Sequence, residues 1–526
     1  MNRVDSINKL EKEVWDLAII GGGASGLGVA LDALSRGLSV LLVEKSDFAK
    51  GTSSRSTKLL HGGVRYLAQG DIGLVMEALK ERGIIMKNAP HVSQRQSFVI
   101  PIYSFFDKLK YGAGLKIYDL MAGNFKMGWS QIISKEETLQ KLPAINANGL
   151  KGGVLYYDGQ FDDARLALNL AQTCGEMGGT ILNYMKVSAL TKDEKGNVNG
   201  LSLKDMITKQ NYEIKAKSIV NATGVFADKV LKMDNLKAKK TLRPSQGAHI
   251  VLDISFLGGK DALMIPKTSD GRVLFGIPWH GKLIVGTTDT IRKNPKNEPA
   301  PLAREIDFIL ETCGEYMVKK PRKEDILSIF AGMRPLAAPA EEGAETKEIS
   351  RSHKVTISDS NLVSIIGGKW TTFRKMGEDT VDAIEKLQGL NLQNSRSSEI
   401  KIHGFRNNTI EDHFSIYGSD ADNIKQIILE QPDLGETLHP KYPYTKAEVV
   451  WMVRGEMALK VEDVLARRFR ILFLDARSAT EIAPIVAEIM AEEMNMDKEW
   501  IANETANFIQ LAQKYILQLA PKIQEK

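Results

Sequence analysis

The chain has 526 residues, 43% hydrophobic and 26% charged, a composition that suits about three soluble globular domains. Seventy Lys and Arg against 65 Asp and Glu leave a net charge of +5, too small to argue for nucleic acid, and none is expected as a partner. Cys174 and Cys313 form no C-x-x-C, which argues against a disulfide scaffold or a metal site and fits a reducing cytoplasm.

The first sixteen residues mix both charge signs. Residues 17–34 are apolar enough to imitate a signal peptide, but three consecutive glycines and Asp32 argue against one. No uninterrupted run of about 18 apolar residues occurs, so the chain is expected neither to be exported nor to span a membrane. Leu17 to Ile20 reads instead as a strand buried on both faces. The turn Gly21-Gly22-Gly23-Ala24-Ser25-Gly26 follows, then a helix from Leu27 to Arg36 and a second apolar strand, Leu38 to Val43, ending on Glu44. This is a βαβ unit with G-x-G-x-x-G on Gly21, Gly23 and Gly26. Gly21 allows the tight turn, Gly23 lets a pyrophosphate meet bare backbone, and Gly26 lets helix and strand pack closely. The helix N-terminus supplies N–H groups and partial positive charge. Glu44 can accept from a ribose 2′-OH and would repel a 2′-phosphate, which disfavours NADP. The motif alone leaves NAD and FAD open.

Residues 46–71 are rich in hydroxyls, glycine and basic groups, and read as a surface loop or a second ligand-facing loop. Thr52, Ser53, Ser54, Ser56 and Thr57 can bond phosphate oxygens, and Gly62-Gly63 permits close approach of a flat ring. Arg65 stands just beyond, either entering a site or solvated. Residues 71–88 give a helix with Leu74, Val75, Ala78 and Leu79 apolar. Residues 98–127 are aromatic and apolar, with Lys108, Lys110, Lys116 and Lys126 against Asp107 and Asp119. Such a segment lies on an anionic membrane surface or forms a partly buried insertion with snorkelling lysines.

Asp162-Asp163 opens a helix, where capping is the expected role. A β-rich segment then ends on Ala222-Thr223-Gly224, a second point of close backbone approach. From about 230 to 355, HIVLDI, ALMIPK, GRVLFGIPW, KLIVGTTD and HKVTIS alternate with turns and read as a separate antiparallel domain carrying His249, Arg334 and Arg351. Leu362 to Ile366, Gly367-Gly368-Lys369 and a helix from Thr371 to Leu387 form a third strand–glycine–helix junction, so the dinucleotide domain is expected to be discontinuous. Beyond a polar linker the chain reads as helical, with capping boxes at Thr445 and Ser478. Ile501, Phe508, Ala512, Tyr515 and Leu519 share one face. This region covers the other domains or takes a partner helix.

With these motifs assembled, the sequence resembles the FAD-dependent glycerol-3-phosphate dehydrogenases. The match runs through DLAIIGGGASGLGVALDALSRGLSVLLVE, GTSSRSTKLLHGGVRYL, FDDARL, IVNATGVFAD, IVGTTDT, MRPL and IIGGKWTTFRKM across residues 16–380. It continues into YTKAEVVWMVRGEMALKVEDVLARR. HGGVRYL and GGKWTTFR are far more specific than the glycine fingerprint. The resemblance implies an α/β fold whose Rossmann-like FAD-binding domain, of the glutathione-reductase and D-amino-acid-oxidase kind, is discontinuous (14–95, 150–230 and 355–390). It adds an antiparallel-sheet substrate domain (96–149 and 231–354), a linker (391–411) and a C-terminal all-α domain (412–526). It implies FAD held by Gly21, Gly23, Ala24, Ser25, Gly26, Glu44, Lys45, Thr52, Ser53, Ser54, Lys58, Leu60, His61, Gly62, Gly63, Val187, Ala222, Thr223, Gly224, Gly368, Lys369, Trp370, Thr371 and Thr372. The family's substrate positions match Arg65, Tyr66, His249, Arg334, Arg351, Lys369 and Thr371. Trp370 departs from the smaller apolar residue of many relatives, and ISRSHK lacks the aromatic that often follows the Arg.

The implied reaction is oxidation of sn-glycerol 3-phosphate to dihydroxyacetone phosphate, with hydride passing from C2 to FAD N5 and electrons going on to a membrane quinone. Arg334 and Arg351 supply bidentate donors to phosphate. Arg65 and Lys369 hold the C1 and C2 hydroxyls, and His249 is the candidate base, with a structural imidazole as its other reading. The expected location is cytoplasmic, in peripheral contact with the inner membrane, and a homodimer is left open. Three other readings stand beside this one: a glycerol-3-phosphate oxidase using oxygen, a related FAD amine or amino-acid oxidase, and a non-catalytic flavin-binding protein.

Overall fold

The computed structural model describes all residues except 64–66, 68–69, 270, 339–351, 408–411 and 519–526. The expectations for Arg65, Tyr66, Arg351 and Leu519 lie outside the described residues. Two sheets organise the rest. Leu17, Ala18 and Ile19 are fully buried, as an apolar run without alternation requires of a strand covered on both faces. Their strand, Val14–Ile20, pairs in parallel with Val40–Val43 on one side and Asn211–Asn221 on the other. Thr180–Leu182 and Leu362–Gly367 extend the parallel set outward. Ala24–Ser35, Asp163–Glu176 and Phe373–Gln388 pack on this sheet in one core cluster. The first and last of these helices touch backbone to backbone: a Cβ on Gly28 would overlap Phe373 O, and one on Gly377 would overlap Gly28 O.

The second sheet has ten strands, nearly all antiparallel, with Ser245–Asp253 held between Lys282–Gly286 and Ser328–Arg334. Two segments fall elsewhere than the sequence reading puts them. Gly152–Phe161, inside the 150–230 range given to the FAD-binding domain, is an interior strand of the second sheet and pairs along its whole length with Ser93–Ile102. Its side chains enter both apolar clusters of that sheet, Val154 and Tyr156 on one face and Leu155 on the other. The chain returns to the first sheet only at Asp162, which caps the next helix through Ala164 and Arg165 N–H. His353–Ile357, the HKVTIS strand, is an edge of the first sheet, because the short turn after it folds it back antiparallel onto Leu362–Gly367.

The C-terminal region is mostly helical and covers the second sheet: Val251, Trp279 and Phe330 share its core. The box at Thr445 and Glu448 forms as expected. The one at Ser478 does not. Asp475 is the N-cap there and accepts from Ser478 N–H, so Ser478 lies inside the helix and Glu481 pairs with His439 instead. The last helix ends at Ala512, and Tyr515 lies beyond it, its hydroxyl donating to Glu298. Buried ion pairs dock this region on the first sheet's loops, with Arg467 and Arg468 both on Asp47 at 2.6 and 2.8 Å. No helix among the described residues is long and apolar enough to cross a membrane. The lysine-rich stretch folds as a strand and then the helix Phe105–Met121, whose Phe105, Phe106, Leu109, Ile117 and Leu120 face outward.

Candidate active site

A cleft of about 660 Å³ opens where the parallel strands end, the place where an open α/β sheet takes its ligand. Its floor is the glycine turn, with Gly21, Gly23, Ala24 and Ser25 in the wall. Glu44, Lys45, Thr52, Ser53, Val187, Ala222, Thr223 and Gly224 line the middle, and Gly368, Lys369 and Trp370 close the far end. The turn leaves no room for side chains: a Cβ on Gly21 (φ +116°) would stand 2.6 Å from Ala222 O, and one on Gly26 would overlap Gly21 O. The Glu44 carboxylate accepts from Gly22 N–H at 2.9 Å and Ser46 N–H at 3.0 Å, which sets its angle at the strand end. Burial pushes its pKa up. Lys45, Lys50, Lys186 and Lys229 also line the cleft, and burial together with that crowding lowers the pKa of Lys45. A helix N-terminus within this cluster of cations fits an anionic pyrophosphate.

Residues 52–58 tie the cleft to everything else. Ser53 Oγ accepts from Ala24 N–H at 2.9 Å, and Ser53 O accepts from Trp370 Nε1 at 2.8 Å. Thr52 Oγ1 donates to Met333 O at 2.5 Å, which brings the end of the Ser328–Arg334 strand against the turn. Thr57 Oγ1 lies 3.0 Å from His249 Nε2. His249 is buried and stacked on Phe330 with ring centroids 4.6 Å apart. Burial, then the charges of Lys58 and Arg334, hold its pKa well below 6.5, so the imidazole is neutral near neutral pH. Arg334 is oriented by Thr287 Oγ1 and Thr288 O, both at 3.1 Å, and by Asp289 at 3.2 Å. One loop therefore joins the glycine turn, the late glycine junction and the second sheet, the last through His249 and the Met333 backbone beside Arg334.

A family model described as FAD dependent oxidoreductase matches residues 16–368, and one described as the C-terminal domain of alpha-glycerophosphate oxidase matches residues 360–501. Mitochondrial glycerol-3-phosphate dehydrogenase of Mus musculus is 38% identical over 516 residues, covering 91% of this chain and 71% of its own length. The Saccharomyces cerevisiae enzyme is 36% identical over 593 residues, covering 97% and 91%. The chain belongs to the FAD-dependent glycerol-3-phosphate dehydrogenase family. A Bacillus halodurans glycerol-3-phosphate dehydrogenase solved with FAD superposes at TM-score 0.80 and 30% identity, over 98% of this chain and 99% of that one. Mycoplasma pneumoniae L-alpha-glycerophosphate oxidase, 18% identical at TM-score 0.56 over 73% of this chain and 97% of that one, shares the fold. The cofactor is FAD, which resolves the choice that the glycine motif left open.

Several of the residues assigned to FAD from the sequence do not line the cleft. Gly26 lies beneath the turn, and Thr371 and Thr372 are buried under the late junction. Ser54, His61 and Gly63 are also absent from its wall. Leu60 belongs to the core of the first sheet's helices, and Gly62 N–H donates to Tyr118 OH at 2.9 Å. Lys58 points away from the cleft. Its fully buried ammonium donates to Asp163 Oδ2 at 2.7 Å and Ser54 O at 2.9 Å, because those acceptors satisfy a charge that no solvent reaches. Burial, with Arg470 adding to it against the pull of Asp163, brings the Lys58 pKa down to about 7. Trp370, the departure from the family pattern, fills a place of its own. It packs edge-on against Phe161 and Phe373 while its N–H holds Ser53.

Sequence reasoning misses the partners that hold this loop. Arg55 is buried and pairs with Glu298 at 2.6 Å and Tyr515 OH at 3.0 Å. Asp163, read as a cap, instead gathers Ser56, Lys58 and Arg470. The basic run at 467–470 would pass for a solvated helix face; the one available signal is that Arg467 and Arg468 end the stretch YTKAEVVWMVRGEMALKVEDVLARR that carries the resemblance.

Proposed function

We propose that this protein oxidises sn-glycerol 3-phosphate to dihydroxyacetone phosphate and delivers the electrons to a membrane quinone. The observation that carries the reading is the loop 52–58, which lines the cleft fitted to FAD and also bonds the neutral, buried His249 and the strand that ends on Arg334. When bound, FAD accepts hydride from C2 at N5 and passes the electrons on. The glycine turn, Glu44, Lys45, Thr52, Ser53, the Ala222–Gly224 junction and the Gly368–Trp370 junction would hold it. Arg334 would bind the substrate phosphate as a guanidinium fork, joined by Arg351. Arg65, Tyr66 and Lys369 would orient the C1 and C2 hydroxyls, and His249 would take the C2 hydroxyl proton. Neutral imidazole is the form that can do so.

The outward face of the Phe105–Met121 helix supports the membrane contact. Phe106 is 81% exposed and Leu120 66%. Lys108, Lys110 and Lys116 border them on the same helix, the pairing of apolar and basic side chains that lies on anionic lipid. Sedimentation with anionic vesicles should lose the Phe105→Glu, Phe106→Glu double variant and retain the parent. The activity itself is tested by adding glycerol 3-phosphate anaerobically to the purified yellow protein. The flavin absorbance should bleach, and failure to bleach sinks the assignment. Reoxidation by a soluble quinone without stoichiometric hydrogen peroxide separates the dehydrogenase from an oxidase, and rates with glycine and sarcosine separate it from the amine oxidases.

A further inference from the structure

The segment between the strand Thr290–Ile291 and the helix Ala303–Tyr316 belongs to the second sheet, yet its tip is fastened to the loops of the first. Both of its ends are held at home. Arg292 N–H donates to Pro244 O at 2.9 Å, and Ala300 O accepts from Gln246 Nε2 at 3.0 Å. Between these anchors Asn297 and Glu298 reach over to the first sheet. Asn297 Oδ1 accepts from Lys45 Nζ at 2.9 Å, and both residues line the FAD cleft, so this contact joins the wall built by one sheet to the wall built by the other. Asn297 O accepts from Arg55 Nη1 at 3.1 Å.

Glu298 fastens the tip from behind that wall. Its carboxylate faces Arg55 Nη2 at 2.6 Å, Tyr515 OH at 2.9 Å and Lys50 Nζ at 3.0 Å. Burial opposes its charge, but Arg55 and Lys50 hold its pKa below the usual range. Arg55 also donates to Tyr515 OH at 3.0 Å, so one hydroxyl bonds both members of the pair. Tyr515 is itself fixed: its carbonyl accepts from Ile329 N–H at 2.8 Å, and its ring meets Phe473 edge-on. Charge-assisted bonds of this length are the strong ones. Arg55, Glu298 and Tyr515 do not line the cleft, so these bonds are made within the protein and not to the cofactor.

We propose that Asn297 and Glu298 form a latch on the FAD cleft, with Glu298 a positioning residue that acts through Arg55 and Lys50, and that the cofactor passes in and out when this tip lifts from Lys45. The end of the C-terminal region, through the Tyr515 hydroxyl, sets how often it lifts. A fastening that does not touch the ligand governs passage in both directions and leaves affinity nearly unchanged.

The FAD-loaded protein would be mixed with an excess of apo-D-amino-acid oxidase, which captures FAD as it leaves and regains activity in proportion. Glu298→Gln keeps the shape and removes the charge, and should release FAD about tenfold faster or more, as the loss of charged hydrogen bonds implies. Tyr515→Phe should speed release about fivefold through its lost hydroxyl, and carries the test alone should Glu298→Gln fold poorly. The Kd for FAD, read from flavin occupancy across serial dilutions of the loaded protein, should stay close to that of the parent in both variants. Unchanged release in the folded variants overturns the proposal. So does a loss of affinity in proportion to the faster release, which would make Glu298 a static support of the site. Because the readout is the passage of FAD, the outcome is separate from whether glycerol 3-phosphate is the substrate.

Discussion

Thr57 Oγ1 stands 3.0 Å from His249 Nε2, so a residue of the FAD-facing loop sets the imidazole of the second sheet. Thr57→Val keeps the shape and removes the hydroxyl. One neutral hydrogen bond is worth about 1 kcal/mol, so kcat should fall about five- to tenfold while flavin content and Tm stay near those of the parent. Steady-state rates with a soluble acceptor check this. An unchanged kcat would detach Thr57 from the reacting centre.

Gly26 faces the backbone of its own turn. A methyl group there would overlap Gly21 O, and the turn would open to relieve it. Overpacking of this sort costs about 1–3 kcal/mol. Gly26→Ala should therefore bind FAD about 10- to 100-fold more weakly and purify largely colourless, which the ratio of flavin to protein absorbance reads directly. Full yellow colour would mean that the turn accommodates the methyl group.

Arg334 is preset by Thr287, Thr288 O and Asp289 before any ligand arrives. If it forks onto the substrate phosphate, Arg334→Ala should raise KM for glycerol 3-phosphate by tenfold or more, since charged hydrogen bonds are worth about 1.5–3 kcal/mol. kcat should change less. An unchanged KM would remove Arg334 from the site.

The parts of the site that sequence makes legible are local ones. Gly21 to Glu44 and Gly367 to Lys369 declare themselves because a tight turn, a close approach and a helix start must be written within a few consecutive residues. Gly152–Phe161 falls in the range given to the FAD-binding domain because nothing local in it says which sheet it joins; its pairing with Ser93–Ile102 is a contact between distant segments. Asp163 and Arg470 lie 307 residues apart, and their 2.8 Å contact leaves no period or spacing to find. Lys58 shows the cost of transferring a role by position. Thr52 and Ser53 of the same loop face the cleft, while the Lys58 side chain turns back to Asp163, because that carboxylate is the partner a buried ammonium needs.

Lys58 also carries a prediction. Its ammonium sits 5.6 Å from the Phe330 ring, whose other neighbour is His249, and its charge helps to hold that imidazole neutral. Lys58→Met should let the His249 pKa rise, so the acid limb of the kcat/KM profile should move to higher pH. Removing one partner of a buried pair costs about 3–5 kcal/mol, and retention of Asp163 by Arg470 should keep the loss toward the lower figure. Denaturant melts measure the stability and pH profiles measure the limb. A stability loss with an unmoved limb would make Lys58 purely structural.

His91 gives the pH dependence of folding a definite sign. Its folded pKa, pushed to about 4 by burial and then by the neighbouring His403 and Arg165 charges, lies below the unfolded value near 6.5. Between those two values the unfolded chain binds the extra proton, so stability falls as pH drops through the window. The span corresponds to about 3 kcal/mol at most for this group. His403 works the other way. Burial opposes its charge, but Asp420 and Glu176 raise its pKa, so its contribution is full at low pH and fades as pH rises through the folded value. Over the range from about pH 8 to 4, His91→Phe should flatten the decline below pH 6.5, and His403→Gln should remove the gain in stability that comes as pH falls to 6.5 from above. Urea midpoints taken across that range read both slopes, and identical slopes in parent and His91→Phe would show that the imidazole does not titrate as its burial demands.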